Sequence, residues 1–205
     1  MEKHNSTHIS KVFLEDAYVT KRRSMQSIAT GLGCSMHKVD YWMRKYEIPR
    51  RSRSDASYVH HNPEGDPFLF RSPSSTEESL LYGLGMGLYW GEGTKANLSS
   101  VRLGNSDPKL IKTFIRFLTQ LYDVDKDRLR FGLQLFTDCS ESEALSYWCR
   151  ELEVKPSQFY KITVTISGSI GTYRNKNRYG VATVYFNNKK LRDILVDNLA
   201  ALAQW

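Results

Sequence analysis

Glu92 ends a run in which glycine returns every fourth residue: Gly83, Gly87 and Gly91, within Leu80 to Thr94. On a helix that spacing places the three glycines on one face. Each costs about 1 kcal/mol of helix stability relative to alanine. Three on one stripe make sense where another backbone must approach closely. A carboxylate beside a helix C-terminus opposes the macrodipole, so local stability does not account for Glu92, whereas a metal ion would. The plainer alternative is a helix packed within its own chain, with Glu92 a surface acid.

Other groups suit a polyanion. Arg128, Arg130 and Gln134 alternate with Leu129, Phe131, Leu133 and Leu135. On a strand they share the face opposite the leucines, where Arg suits guanine and Gln suits adenine. Ordinary solvent exposure is the alternative. Gly168 to Gly180 is basic and aromatic, with Arg174, Lys176 and Arg178 placed for phosphate contact; an untethered surface loop would look the same. Arg50, Arg51 and Arg53 follow Pro49 and read as a short extended arm for a minor groove or phosphates, or as a solvated linker.

The charge is concentrated. The chain of 205 residues has a formal net charge of +7, and residues 1–54 hold eleven of the 29 Lys and Arg but five of the 22 Asp and Glu. The first quarter therefore carries nearly all the excess, as a polyanion-binding module would. Cys34, Cys139 and Cys149 have no disulfide or zinc spacing. The longest apolar run is too short to span a bilayer, which speaks against a membrane partner. The first residues lack the apolar core of a signal peptide. These features predict an intracellular, nucleoid-associated protein in the cytoplasm.

Residues 12–20 read as an amphipathic helix with Phe13, Leu14, Ala17 and Tyr18 on one stripe. Ser24 is placed to cap a second helix to Leu32, Gly33 to take positive φ, and Ser35 to cap a third helix to about Tyr46. Val39, Trp42 and Met43 form its expected inward face, and Ile48-Pro49 its end. Two short helices, a glycine turn and a third helix make a helix-turn-helix pattern. The stretches from Ser24 to Ser35 and from Val39 to Ser54 closely resemble helix-turn-helix segments of invertase/resolvase and homing-endonuclease type. That resemblance places Ser35, Met36, His37 and Lys38 at or near double-stranded DNA, with Tyr41, Arg44 and Lys45 one turn on.

Residues 1–54 are thus expected as one domain and 55–75 as a linker, with Pro63, Gly65, Pro67 and Pro73. Ser75 and Glu78 form a capping box before the glycine helix. Beyond it the patterns predict strands at 99–105, 128–136, 160–167 and 181–186, and helices from Pro108, at 141–152 and at 189–202. In the third strand Ile162, Val164 and Ile166 are expected inward, with 181–186 its partner. The fold class expected is α+β: an N-terminal all-α module, then an antiparallel-sheet domain over 76–205.

The segment Gly85-Met86-Gly87-Leu88-Tyr89-Trp90-Gly91-Glu92-Gly93 resembles the LAGLIDADG motif of homing endonucleases. Gly87 matches the motif's first glycine, Glu92 its final acid and Gly93 its last glycine. Glu stands where Asp is commoner, and Trp90 where the motif often has Asp. The resemblance implies paired motif helices whose terminal acids bind divalent metal over the scissile phosphates. Oxygen ligands suit Mg²⁺ or Mn²⁺. One motif per chain implies a homodimer, with Gly83, Gly87 and Gly91 at the interface and Glu92 from each subunit at the metal. A basic residue near the metal is implied too, with Lys95 and Lys161 as candidates. The expectation is a metal-dependent DNA endonuclease. The alternative is a non-catalytic, sequence-specific transcriptional regulator on the same scaffold.

Overall fold

The computed structural model describes residues 8–166 and 178–204. It is mixed α+β and divides between Asp66 and Pro67 into two compact units.

The first unit is helical. Helix α1, Lys11–Leu14, widens into a π turn over Glu15–Thr20, closed by Lys21 N–H on the Asp16 carbonyl (2.7 Å). Helix α2, Met25–Gly31, starts where the Ser24 hydroxyl accepts from Ser27 N–H at 3.0 Å. It stops at Gly33 (φ 61°), where Cys34 N–H bonds the Ala29 carbonyl (3.0 Å) and Gly33 N–H that of Thr30 (3.2 Å). Only a left-handed residue closes this cap, and glycine adopts that conformation without a Cβ clash. Helix α3, Met36–Lys45, is capped by Ser35. Leu14, Ala17, Tyr18, Ile28, Ala29, Val39, Trp42 and Met43 bury together. The stripes read from the sequence meet as expected.

The arm after α3 is fastened to the helical module. Arg50 Nε donates to Asp40 at 2.5 Å. Arg51 N–H donates to the Tyr18 hydroxyl at 2.9 Å, and its guanidinium lies 4.0 Å over the Tyr18 ring. Arg53 begins helix α4, Arg53–His61, capped by Ser52. The expected linker therefore opens with a helix. The signal was in the sequence, as Ser52 and Asp55 have capping spacing.

In the second unit, helix α5, Thr76–Glu92, is capped by Ser75, whose hydroxyl accepts from Glu78 N–H at 3.1 Å. The Glu78 carboxylate accepts from Ser74 N–H and hydroxyl (2.6 and 2.7 Å), one residue before the partner a capping box predicts. Strand β1, Val101–Asn105, leads to helix α6, Pro108–Leu121, then strand β2, Arg130–Phe136, and helix α7, Glu141–Leu152. Strands β3, Thr163–Thr165, and β4, Val181–Phe186, and helix α8, Lys189–Leu202, complete it.

The sheet order is β1-β4-β2-β3. β4 pairs antiparallel with β1 and β2, but β3 pairs parallel with β2, so the sheet is mixed rather than antiparallel. The reason is the connection: α7 carries the chain back across the sheet before β3, and such a crossover returns a strand in parallel. β3 is short and lies at the edge, away from β4. Val164 and Ile166, expected inward, are 42% and 71% exposed. Arg128 belongs to a 3₁₀ turn, Lys126–Arg128, rather than to β2.

The core lies against one face of the sheet. Leu103, Phe131, Leu133, Val184 and Phe186 pack with Phe114 and Phe117 of α6, Trp148 of α7 and Leu195 of α8. The opposite face carries the alternate residues, among them Gln134, which is exposed, and Arg102, Arg130, Thr183 and Tyr185, which are half-buried.

Candidate functional site

Helix α3 has two different sides. Val39, Trp42 and Met43 are buried, while Ser35, Met36, His37, Tyr41, Arg44 and Lys45 are exposed and Lys38 is half-buried. The cap sets the helix start, and Val39 with Met43 sets its rotation. Together they present residues 35–38 outward. Arg44 pairs with Asp40 at 2.8 Å. Lys45 Nζ lies 4.7 Å over the Trp42 ring. His37 and Lys38 carry no ion pair among the described residues.

Asp40, which sequence reasoning missed, fixes this surface from behind. It is 5% exposed and binds Arg44 and Arg50. The Arg50 hydrogen bond holds its carboxyl below the usual range, against the opposing effect of burial. A helical Asp facing inward, with Arg four residues on, was the signal available. Arg50 and Arg51 are therefore anchors of the module, whereas Arg53 is exposed on α4.

The glycines of α5 separate into two kinds. A Cβ on Gly85 would stand 2.1 Å from Cγ of Phe117, so Gly85 is where α5 closes on α6. A Cβ on Gly83, Gly87 or Gly91 would meet nothing within 4 Å. These three lie on the exposed side with Leu80, Leu84 and Trp90. The glycine stripe is thus open among the described residues, and the glycine that serves the packing of α5 on α6 is a different one.

Glu92 is the last residue of α5 and is exposed. Gly93 bridges Leu103, and Thr94 N–H donates to the Arg102 carbonyl at 3.0 Å, which ties the helix end to β1. Lys95 is close in sequence but occupied: its Nζ donates to the Tyr89 carbonyl (3.3 Å) and to that of Trp90, terminating the helix. Lys161 precedes β3, at the sheet edge opposite β1, about 14 Å away by strand spacing. The fold does not gather the two lysines around Glu92. No group of three or more His, Cys, Asp and Glu suited to a metal forms among the described residues.

On the open sheet face Gln134 Nε2 donates to the Thr165 hydroxyl at 3.4 Å. Arg130 turns back to the carbonyls of Asp127 and Leu129, 2.8 Å each. Arg128 stands exposed at the turn. Arg102, 5.1 Å over the Tyr185 ring, shares the face and was not anticipated, although its alternation with Val101 and Leu103 marked it. Arg174 and Lys176 lie outside the described residues. Arg178 pairs with Glu143 at 2.8 Å, beside the stacked rings of Tyr147 and Tyr179.

No family model, curated protein or solved structure matches this chain. Among the described residues no helix is long and apolar enough to cross a membrane.

Proposed function

We propose that the chain binds double-stranded DNA through a helix-turn-helix formed by α2 and α3, and acts as a homodimeric LAGLIDADG-type endonuclease. The observation that carries DNA binding is the two-sided α3: a buried Val39-Trp42-Met43 side, and an exposed start with His37 and Lys38 unpaired among the described residues. A helix start held outward by a cap is the part that reaches base edges in such modules. The excess positive charge of residues 1–54 supports it.

The endonuclease reading rests on the open stripe of Gly83, Gly87 and Gly91. A second copy laid along it would bring its own Glu92 to the first, giving a pair of carboxylates. Bound there, a divalent ion supplies water activation and stabilisation of the leaving oxygen. The chain's own part is to hold Glu92 at a helix end fastened to β1, and to offer Arg102, Arg130 and Gln134 on the open sheet face. On this reading α7 and β3, which stand between β2 and β4, are additions to the αββαββα repeat the resemblance implies, and one of its strands is reduced to the Gly93–Leu103 bridge.

A second reading, a non-cleaving regulator, is favoured by Lys95, which closes a helix instead of standing free beside Glu92. One experiment separates the two. The protein and a Glu92→Gln variant are incubated with a randomised plasmid library and Mg²⁺ or Mn²⁺. Cuts by the wild type alone support the endonuclease. Retained binding without cuts by either supports the regulator.

A further inference from the structure

The first unit contains a cleft of about 610 Å³ between the Lys21–Ser24 turn, the start of α3, and α4. That size is within the range of small-molecule sites. Its apolar lining comes from Tyr18, Met25, Met36 and Val59. Its rim is cationic, with Lys21, Arg22, Arg23 and Arg51. Lys21 is matched by Asp16 at 2.7 Å, and Arg22 by Asp66 at 3.8 Å. Arg23 and Arg51 have no carboxylate among the described residues. Arg23 donates to the Ser27 carbonyl (2.9 Å), and Arg51 to the carbonyls of Arg23 (3.1 Å) and Tyr18. Two guanidinium groups, held on backbone carbonyls, thus stand beside an apolar lining with no carboxylate counter-charge among the described residues.

Helix α4 forms one wall and buries none of its own residues. Beside the cleft the Tyr58 hydroxyl donates to Asp66 at 3.1 Å, and Asp66 meets Arg22. An occupant with an apolar body would bury more of α4, and an anionic group on that body would answer Arg23 and Arg51. A bare phosphate would satisfy the rim but leave the lining wet. Methionine thioethers at Met25 and Met36 favour an aromatic body. We propose that this cleft binds a small aromatic carboxylate. Met36 is also the first residue of α3, so occupancy is felt where α3 begins; an effect on DNA rests on the reading above, whereas binding itself does not.

The test uses the full chain labelled at its methionine methyl groups. It is titrated with 2-naphthoate, with neutral 2-naphthalenemethanol and with inorganic phosphate, and followed by NMR. The expected result is saturable movement of the Met25 and Met36 signals with naphthoate, while Met43 and Met86, buried elsewhere, stay in place. The neutral analogue should bind about tenfold more weakly, the loss of one charge-assisted contact, and phosphate should move neither signal. Val59→Trp should fill the cleft and abolish the naphthoate shifts. Should that variant disturb Met43, Ala56→Leu, at an exposed position of the same wall, takes its place. No movement with naphthoate, equal affinity for the neutral analogue, the same shifts with phosphate alone, or undiminished binding by an intact filled variant would each overturn the proposal.

Discussion

Gly85 and Phe117 touch so closely that the glycine admits no side chain: a Cβ would lie 2.1 Å from the ring. Gly87, two residues on and facing the other way, meets nothing within 4 Å. Gly85→Ala is therefore expected to destabilise the second unit by about 1–3 kcal/mol, the cost of overpacking a core. Gly87→Ala should instead stabilise the isolated chain by about 1 kcal/mol through helix propensity. Urea unfolding at low protein concentration checks both.

The same pair bears on assembly. If the open stripe pairs two copies, Gly87→Leu should leave secondary structure intact and yield a monomer by light scattering, where the wild type is a dimer. A monomeric wild type, with and without DNA, would remove the shared Glu92 site.

Asp40 gives a pH prediction. Its folded pKa lies below the ordinary value of 3.8 because Arg50, then Arg44, favour the carboxylate. The stability it contributes is then present above pH 3.8 and is lost as pH falls through the lower folded value. Asp40→Asn should lower the melting temperature at pH 7 and have a much smaller effect near pH 2. An equal loss at both pH values would contradict the pairing.

Much of this was legible in the sequence, and the failures share a cause. Ser24, Gly33 and Ser35 encode their caps locally, so α2 and α3 are found where expected. Glu141–Leu152 and Lys189–Leu202 keep their read bounds for the same reason, with Ser140 and Asn188 as caps. Arg51 was misread as an arm because its partner, Tyr18, is 33 residues away. β3 was read inward because alternation names two faces but not a strand's place in the sheet, and an edge position left Ile166 exposed. The glycine period was visible, yet only the three-dimensional contact shows that Gly85, outside that period, carries the packing within the chain.

Lys95 offers a contrast between helix cap and chemistry. Its ammonium sits on the last carbonyls of α5. Lys95→Met should cost about 0.3–1 kcal/mol, the usual value of a cation at a helix C-terminus. Lys95→Arg should recover most of it. A variant with unchanged stability but lost cleavage would return Lys95 to a chemical role.

Salt dependence separates contacts from anchors in the first unit. Lys38→Met should reduce the slope of log affinity against log salt by about 1, as one phosphate contact is lost. Arg51→Met should lower the melting temperature and leave that slope nearly unchanged, since its guanidinium is held against Tyr18 and Arg23 in the cleft. Fluorescence anisotropy on a fixed duplex, with thermal melts alongside, measures both.

The most direct test of the central claim is selection from a randomised duplex library by the full chain, beside a variant carrying Met36→Ala, His37→Ala and Lys38→Ala. These side chains are exposed or half-buried, so the fold should survive. The account predicts one enriched duplex motif for the wild type, and loss or relaxation of that motif in the variant. No enrichment by the wild type, or the same motif selected equally well by the variant, would contradict the assignment of α3 as the DNA-reading helix.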